Sequence, residues 1–173
     1  MKILNLMICL FTMQITSAQL LTYNNLKDFI GNRIYEFEDF YKIKSTDIDD
    51  NFGNLTIEYK DVEIENSIYT IIIKTTGKNI KDIEISNAKQ RTDFFKRIAI
   101  ELEESVKSKK NYKTIYLSIV NNKNKRKIFY DDVNQLIDRL KETNLNENKG
   151  YIESEQLKAN LTINQTNTIL KIY

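Results

Sequence analysis

Histidine, proline and tryptophan are absent from this 173-residue chain, and cysteine occurs once, at Cys9. Each absence removes a chemistry. Without histidine, Ser-His-Asp and Cys-His catalysis within the chain are excluded. Zinc, haem and iron–sulfur ligation lose their usual imidazole and thiolate donors. Proton transfer near neutral pH loses the side chain best poised for it. Glycine is scarce as well: of four, Gly31, Gly77 and Gly150 stand alone, so the sequence contains no phosphate-cradling glycine loop. Acidic residues are plentiful, but no spacing singles out a catalytic pair. The composition leans away from an enzyme.

What is present begins with Lys2, an apolar run from Ile3 to Met13, and the small residues Thr16, Ser17 and Ala18 before Gln19. That layout is the three-part pattern of an export leader, here residues 1–18, with cleavage expected after Ala18. A membrane-spanning helix needs about 20 continuous apolar residues, and Gln14, Thr16 and Ser17 end the run too early. Cys9 lies inside the run, after Ile8, where a lipid-anchored protein would carry its cysteine directly after the cleavage point. The expectation is a periplasmic or secreted protein with no transmembrane or lipid anchor. Cleavage also removes Met1, Met7, Met13 and Cys9, so the remainder folds without disulfides. Residues 19–173 read as one α+β domain, a size at which about 70% of the unfolded surface is buried.

Along that domain, Leu26, Phe29, Ile30, Ile34, Phe37, Phe40 and Tyr41 recur at helical spacing, with Asn24 or Asn25 as the expected cap. Polar residues 45–54 read as a loop. Leu55, Ile57 and Tyr59 then alternate with Thr56, Glu58 and Lys60. Val62 and Ile64 sit on the opposite parity, which predicts a bulge near Lys60–Asp61. Further strands are predicted over Ile68–Thr75, whose centre Ile71-Ile72-Ile73 is apolar on both faces, and around Ile80, Ile83 and Ile85. A long helix follows from about Ala88 to Lys109, carrying Phe94, Phe95, Ile98, Leu102 and Val106. Tyr112–Val120 and Arg126–Tyr130 predict a hairpin. Asp131 is the expected cap of a helix bearing Val133, Leu136, Ile137 and Leu140, and Leu157–Tyr173 predicts a closing hairpin around residues 164–167. The order is α-β-β-β-α-β-β-α-β-β. It implies a largely antiparallel sheet of about five to seven strands with two or three helices on one face.

Two segments suggest ligands. In the first, Asp47, Asp49, Asn51 and Glu58 occupy positions 1, 3, 5 and 12 of a calcium-loop pattern, where a hard cation takes its oxygens. Phe52 stands where that pattern wants glycine, and Gly53 comes one place late. A solvated turn is the plainer reading of the same residues, and no other cofactor is implied. In the second, Lys107, Lys109, Lys110, Lys113, Lys123, Lys125, Arg126 and Lys127 fall within one stretch free of acids. The hairpin would gather Lys123, Lys125, Arg126 and Lys127 at its tip, a candidate site for an anionic ligand. Tyr112, Tyr116 and Tyr130 flank it. A formal net charge of only +2 argues against dedicated nucleic-acid binding.

The functional expectation is a non-catalytic exported module that binds a macromolecule or envelope component. Two alternatives belong to other classes. One is a carboxylate- or calcium-dependent hydrolase acting outside the cytoplasm; the other is a structural or inhibitory partner of another exported protein, pairing through a strand edge.

Overall fold

Ile57 and Tyr59 alternate with Thr56, Glu58 and Lys60, and in a computed structural model of the chain this alternation forms one strand of a nine-stranded antiparallel sheet. The structure describes residues 20–64, 66–107, 116–121, 126–142, 148–155 and 157–173. The expected leader lies outside them. Helices α1 (Tyr23–Lys27) and α2 (Ile34–Tyr41) precede strands β1 (Asp47–Asn51), β2 (Asn54–Ile64), β3 (Ser67–Thr76) and β4 (Asn79–Asn87). Helix α3 (Arg91–Lys107) then leads to β5 (Tyr116–Asn121) and β6 (Arg126–Tyr130). Helix α4 (Val133–Glu142) is followed by β7 (Asn148–Ser154), β8 (Ala159–Ile163) and β9 (Thr168–Ile172). Across the sheet the order is β1-β2-β3-β4-β9-β8-β7-β5-β6, and every neighbouring pair is antiparallel.

The predicted class therefore holds, with more elements than the pattern suggested. The first apolar stripe is two helices. Its break falls at Gly31, whose φ of +90° is a left-handed conformation that glycine adopts freely. There the Gly31 amide donates to the Ile80 carbonyl and the Ile80 amide to the Asn32 carbonyl, both at 2.8 Å. The cap of α1 is Thr22, whose Oγ1 accepts the Asn25 amide at 3.1 Å, in place of Asn24 or Asn25. Before α4, the Asp132 carboxylate accepts the Asn134 amide, one residue beyond the expected Asp131. Residues expected as loop pair as β1, and β7 is an additional strand.

The predicted bulge is present. Tyr59 pairs with Ile71 while Val62 pairs with Tyr69, so Lys60 and Asp61 together face one partner position, Asp61 at φ +52°. The extra residue resets the parity, and Val62 and Ile64 join Ile57 and Tyr59 in the core.

One sheet face meets the helices. Tyr59, Ile71, Ile73, Ile83, Ile85, Leu161 and Leu170 are buried there with Phe37, Phe95, Ile98, Leu102 and Leu136. Each such side chain contributes about 1.5–3 kcal/mol of transfer free energy. Residues 21–24 are fastened to α3. Glu101 accepts the amides of Tyr23 at 3.0 Å and Asn24 at 2.9 Å, and Arg97 donates to the Leu21 carbonyl at 3.3 Å. Leu21 itself is fully buried.

Candidate functional site

The four calcium-loop residues are arranged along a hairpin. Asp47 pairs with Glu58, Asp49 with Thr56, and Asn51 with Asn54 across β1 and β2. On a strand, Asp47, Asp49 and Asn51 share one face but spread over about 13 Å, at 3.4 Å per residue. The hairpin thus brings Asp47 and Glu58 together and carries the other two progressively away. Phe52 and Gly53 form the two-residue turn, with φ values of +54° and +82°, the combination a type I′ hairpin requires. Asp50 closes it by accepting the Gly53 amide at 2.8 Å. Among the described residues, no three His, Cys, Asp or Glu side chains group as a metal site.

Of the basic hairpin, Lys123 and Lys125 lie outside the described residues, as do Lys109, Lys110, Lys113 and Tyr112. Arg126 and Lys127 open β6, paired with Asn121 and Val120. The pairing adds a residue the sequence did not single out. Val120 also pairs with Lys149 on β7, so Lys127, Val120 and Lys149 occupy one row across three strands. The adjacent row reads Phe129, Ser118, Tyr151, Thr162, Ile169, Ser86 and Thr70. Phe129 and Tyr151 stand two strands apart, about 10 Å, on either side of the small Ser118, and the lysine row lies about 7 Å along the strands. Phe129 is 62% exposed, while Lys149 and Tyr151 are half-buried.

These rows belong to the sheet face away from the described helices. Thr56, Glu58, Thr70, Ile72, Glu84, Ser86, Thr162, Ile169 and Lys171 on that face are half-exposed, whereas their neighbours one residue away are buried. An antiparallel sheet with one packed and one solvated face is a common arrangement. Its middle mixes hydroxyls and aliphatics with Glu84 and Lys171, and its β6-β5-β7 end holds Phe129, Tyr151, the two lysine positions and Glu153.

A concavity of about 270 Å³ lies between α3 and α4 on the helical side, floored by Phe95, Ile137, Leu140 and Ile163 and rimmed by Thr92, Asp93, Lys96 and Lys141. Lys141 is engaged by Asp138 at 2.8 Å. The lining is apolar with a rim of mixed sign, and its single carboxylate, Asp93, has no acidic partner in the lining.

Among the described residues, the perturbed ionisable groups are the buried tyrosines Tyr23, Tyr41 and Tyr59. Burial, reinforced by the charge and hydrogen bond of Glu38, raises the Tyr59 phenol well above its ordinary value. Its hydroxyl donates to Glu38 Oε1 at 3.0 Å. Burial also raises Tyr41, with Glu101 adding to it, and Tyr23, with Glu101 and Asp28 adding to it. Tyr23 donates to the Leu157 carbonyl at 3.1 Å, a structural bond within the core.

No known protein family matches the chain, and no curated protein or solved structure is significantly similar to it. No helix among the described residues is long and apolar enough to cross a membrane. The functional reading therefore rests on the surface itself.

Proposed function

We propose that the protein is exported, loses residues 1–18, and acts as a non-catalytic module that binds an acidic glycan of the cell envelope on its open sheet face. The observation that carries this reading is the juxtaposition of two rows at the β6-β5-β7 end: Lys127 and Lys149 beside Phe129 and Tyr151. Aromatic side chains offer flat apolar area to sugar rings, and ammonium groups attract the carboxylates or phosphates such a polymer carries. The hairpin lysines Lys123 and Lys125 and the neighbouring Arg126 extend the positive end in the sequence. Export is supported by the leader pattern of residues 1–18.

Two measurements test the reading. Mass spectrometry of the protein from its own host should find the chain beginning at Gln19; an intact leader would overturn export. Polyphosphate and heparin columns should retain the protein, and changing Lys123, Lys125, Arg126, Lys127 and Lys149 to glutamine should abolish retention. Unchanged retention would remove the platform.

A further inference from the structure

The two outermost strands of the sheet, β1 and β6, carry opposite charge. Strand β1 bears Asp47, Asp49 and Asp50; strand β6 bears Arg126 and Lys127. Both are five residues long. Both also hold exposed apolar side chains: Ile48 at 55% on β1, and Ile128 at 40% and Phe129 at 62% on β6. Phe52, at the turn beside β1, is fully exposed. Of the seven large apolar residues exposed among the described ones, these four lie at the two edges. Apolar side chains and complementary charge thus coincide at the two ends of the sheet that the described residues form, where a further strand can add.

We propose that β1 of one molecule pairs with β6 of a second copy of this chain, joining copies head to tail. The charges choose the combination. Two β1 edges repel each other, as do two β6 edges, whereas β1 and β6 attract. Topology sets the direction. Nine strands, each antiparallel to the next, leave β1 and β6 running the same way, so a contact that keeps the helices on one side is a parallel pair. The alignment that sets Ile48 against Ile128 also sets Asp47 against Lys127. Ile48 and Ile128 belong to the helical side of the sheet, by their pairing with Ile57 and Ile119; Asp47 and Lys127 belong to the open side. Each addition presents one β1 and one β6 edge, so the contact is heterologous and propagates from copy to copy, closing into a ring only where the rotation between copies brings the two ends together.

Self-association needs no ligand and assigns β1 a role that the glycan reading does not. Lys127 and Phe129 serve in both, so the β1 variant is the one that distinguishes them. Sedimentation velocity on the protein purified from its host tests it. In low salt the sedimentation coefficient should rise with concentration, and it should return to the monomer value in about 0.5 M salt, where charge attraction is screened within a few ångströms. Asp47→Lys with Asp49→Lys should abolish the rise, as should Arg126→Glu with Lys127→Glu. Mixing the two variants should restore it, since each then supplies the edge the other needs. Recovery on mixing also shows that both variants are folded. A coefficient that stays constant with concentration, association that survives either reversal, or a mixture that stays monomeric would overturn the proposal. Loss of association with polyphosphate retention intact in the β1 variant would separate the two readings.

Discussion

Leu140 on α4 sits directly over Gly150 on β7: a methyl group built on Gly150 would lie 3.0 Å from Leu140 Cδ2 and 3.0 Å from Ile163 Cγ2. The glycine is there for close approach of helix to sheet. Gly150→Ala should therefore destabilise the domain by about 1–2 kcal/mol, the overpacking cost exceeding the gain in backbone entropy. Urea unfolding measures it, and Leu140→Val should recover part of the loss by vacating the space.

That same glycine explains one thing the sequence hid. Asn148-Lys149-Gly150 carries no apolar alternation, and its pairing with β5 and β8, under the close approach of Leu140, makes a strand of it. With β7 unseen, Lys149 and Tyr151 had no row to belong to. Strand β1 was hidden for a different reason: Asp47-Ile48-Asp49-Asp50-Asn51 has weak strand propensity and every residue is exposed, so no apolar alternation marks it. The stripe from Leu26 to Tyr41 ran through the break at Gly31 because α1 and α2 pack their apolar residues into one core. Where a strand has one buried face, as in Leu55–Ile64, parity gave both the strand and its bulge. Edges and close approaches are decided by partners far away in sequence.

At the tip of β1–β2, Phe52 holds a left-handed φ of +54° with its ring fully exposed. It gains nothing from burial and bears the strain of an L-residue in that region. Phe52→Asn should stabilise the domain by about 0.5–1 kcal/mol, since asparagine before glycine suits this turn. Thermal unfolding monitored by circular dichroism checks it.

Glu101 holds the first turn of α1 through the amides of Tyr23 and Asn24. Glu101→Ala should cost about 1–3 kcal/mol, as expected for bonds to a charged acceptor. Hydrogen exchange should speed up at Tyr23 and Asn24 more than in β3 or β4. Uniform acceleration would point to global loosening and against this local role.

The raised phenols of Tyr23, Tyr41 and Tyr59 make stability depend on alkaline pH. The folded state holds these protons more tightly than the unfolded chain, whose tyrosines ionise near the ordinary value of 10.0. Their contribution is fully present below that pH and is lost as pH rises beyond it. Unfolding free energy measured by urea titration should fall steadily from about pH 10 upward. Tyr59→Phe should cost about 1 kcal/mol at neutral pH, through the lost bond to Glu38, and should make the alkaline decline shallower.

The binding platform is tested most directly by backbone amide shifts of the isotope-labelled protein as short-chain polyphosphate, the simplest polyanion, is added. Perturbations should concentrate at Lys127, Phe129, Lys149 and Tyr151 and leave the α3–α4 cleft around Phe95 and Ile137 unchanged. Shifts confined to that cleft, or none at saturating polyphosphate, would contradict the account.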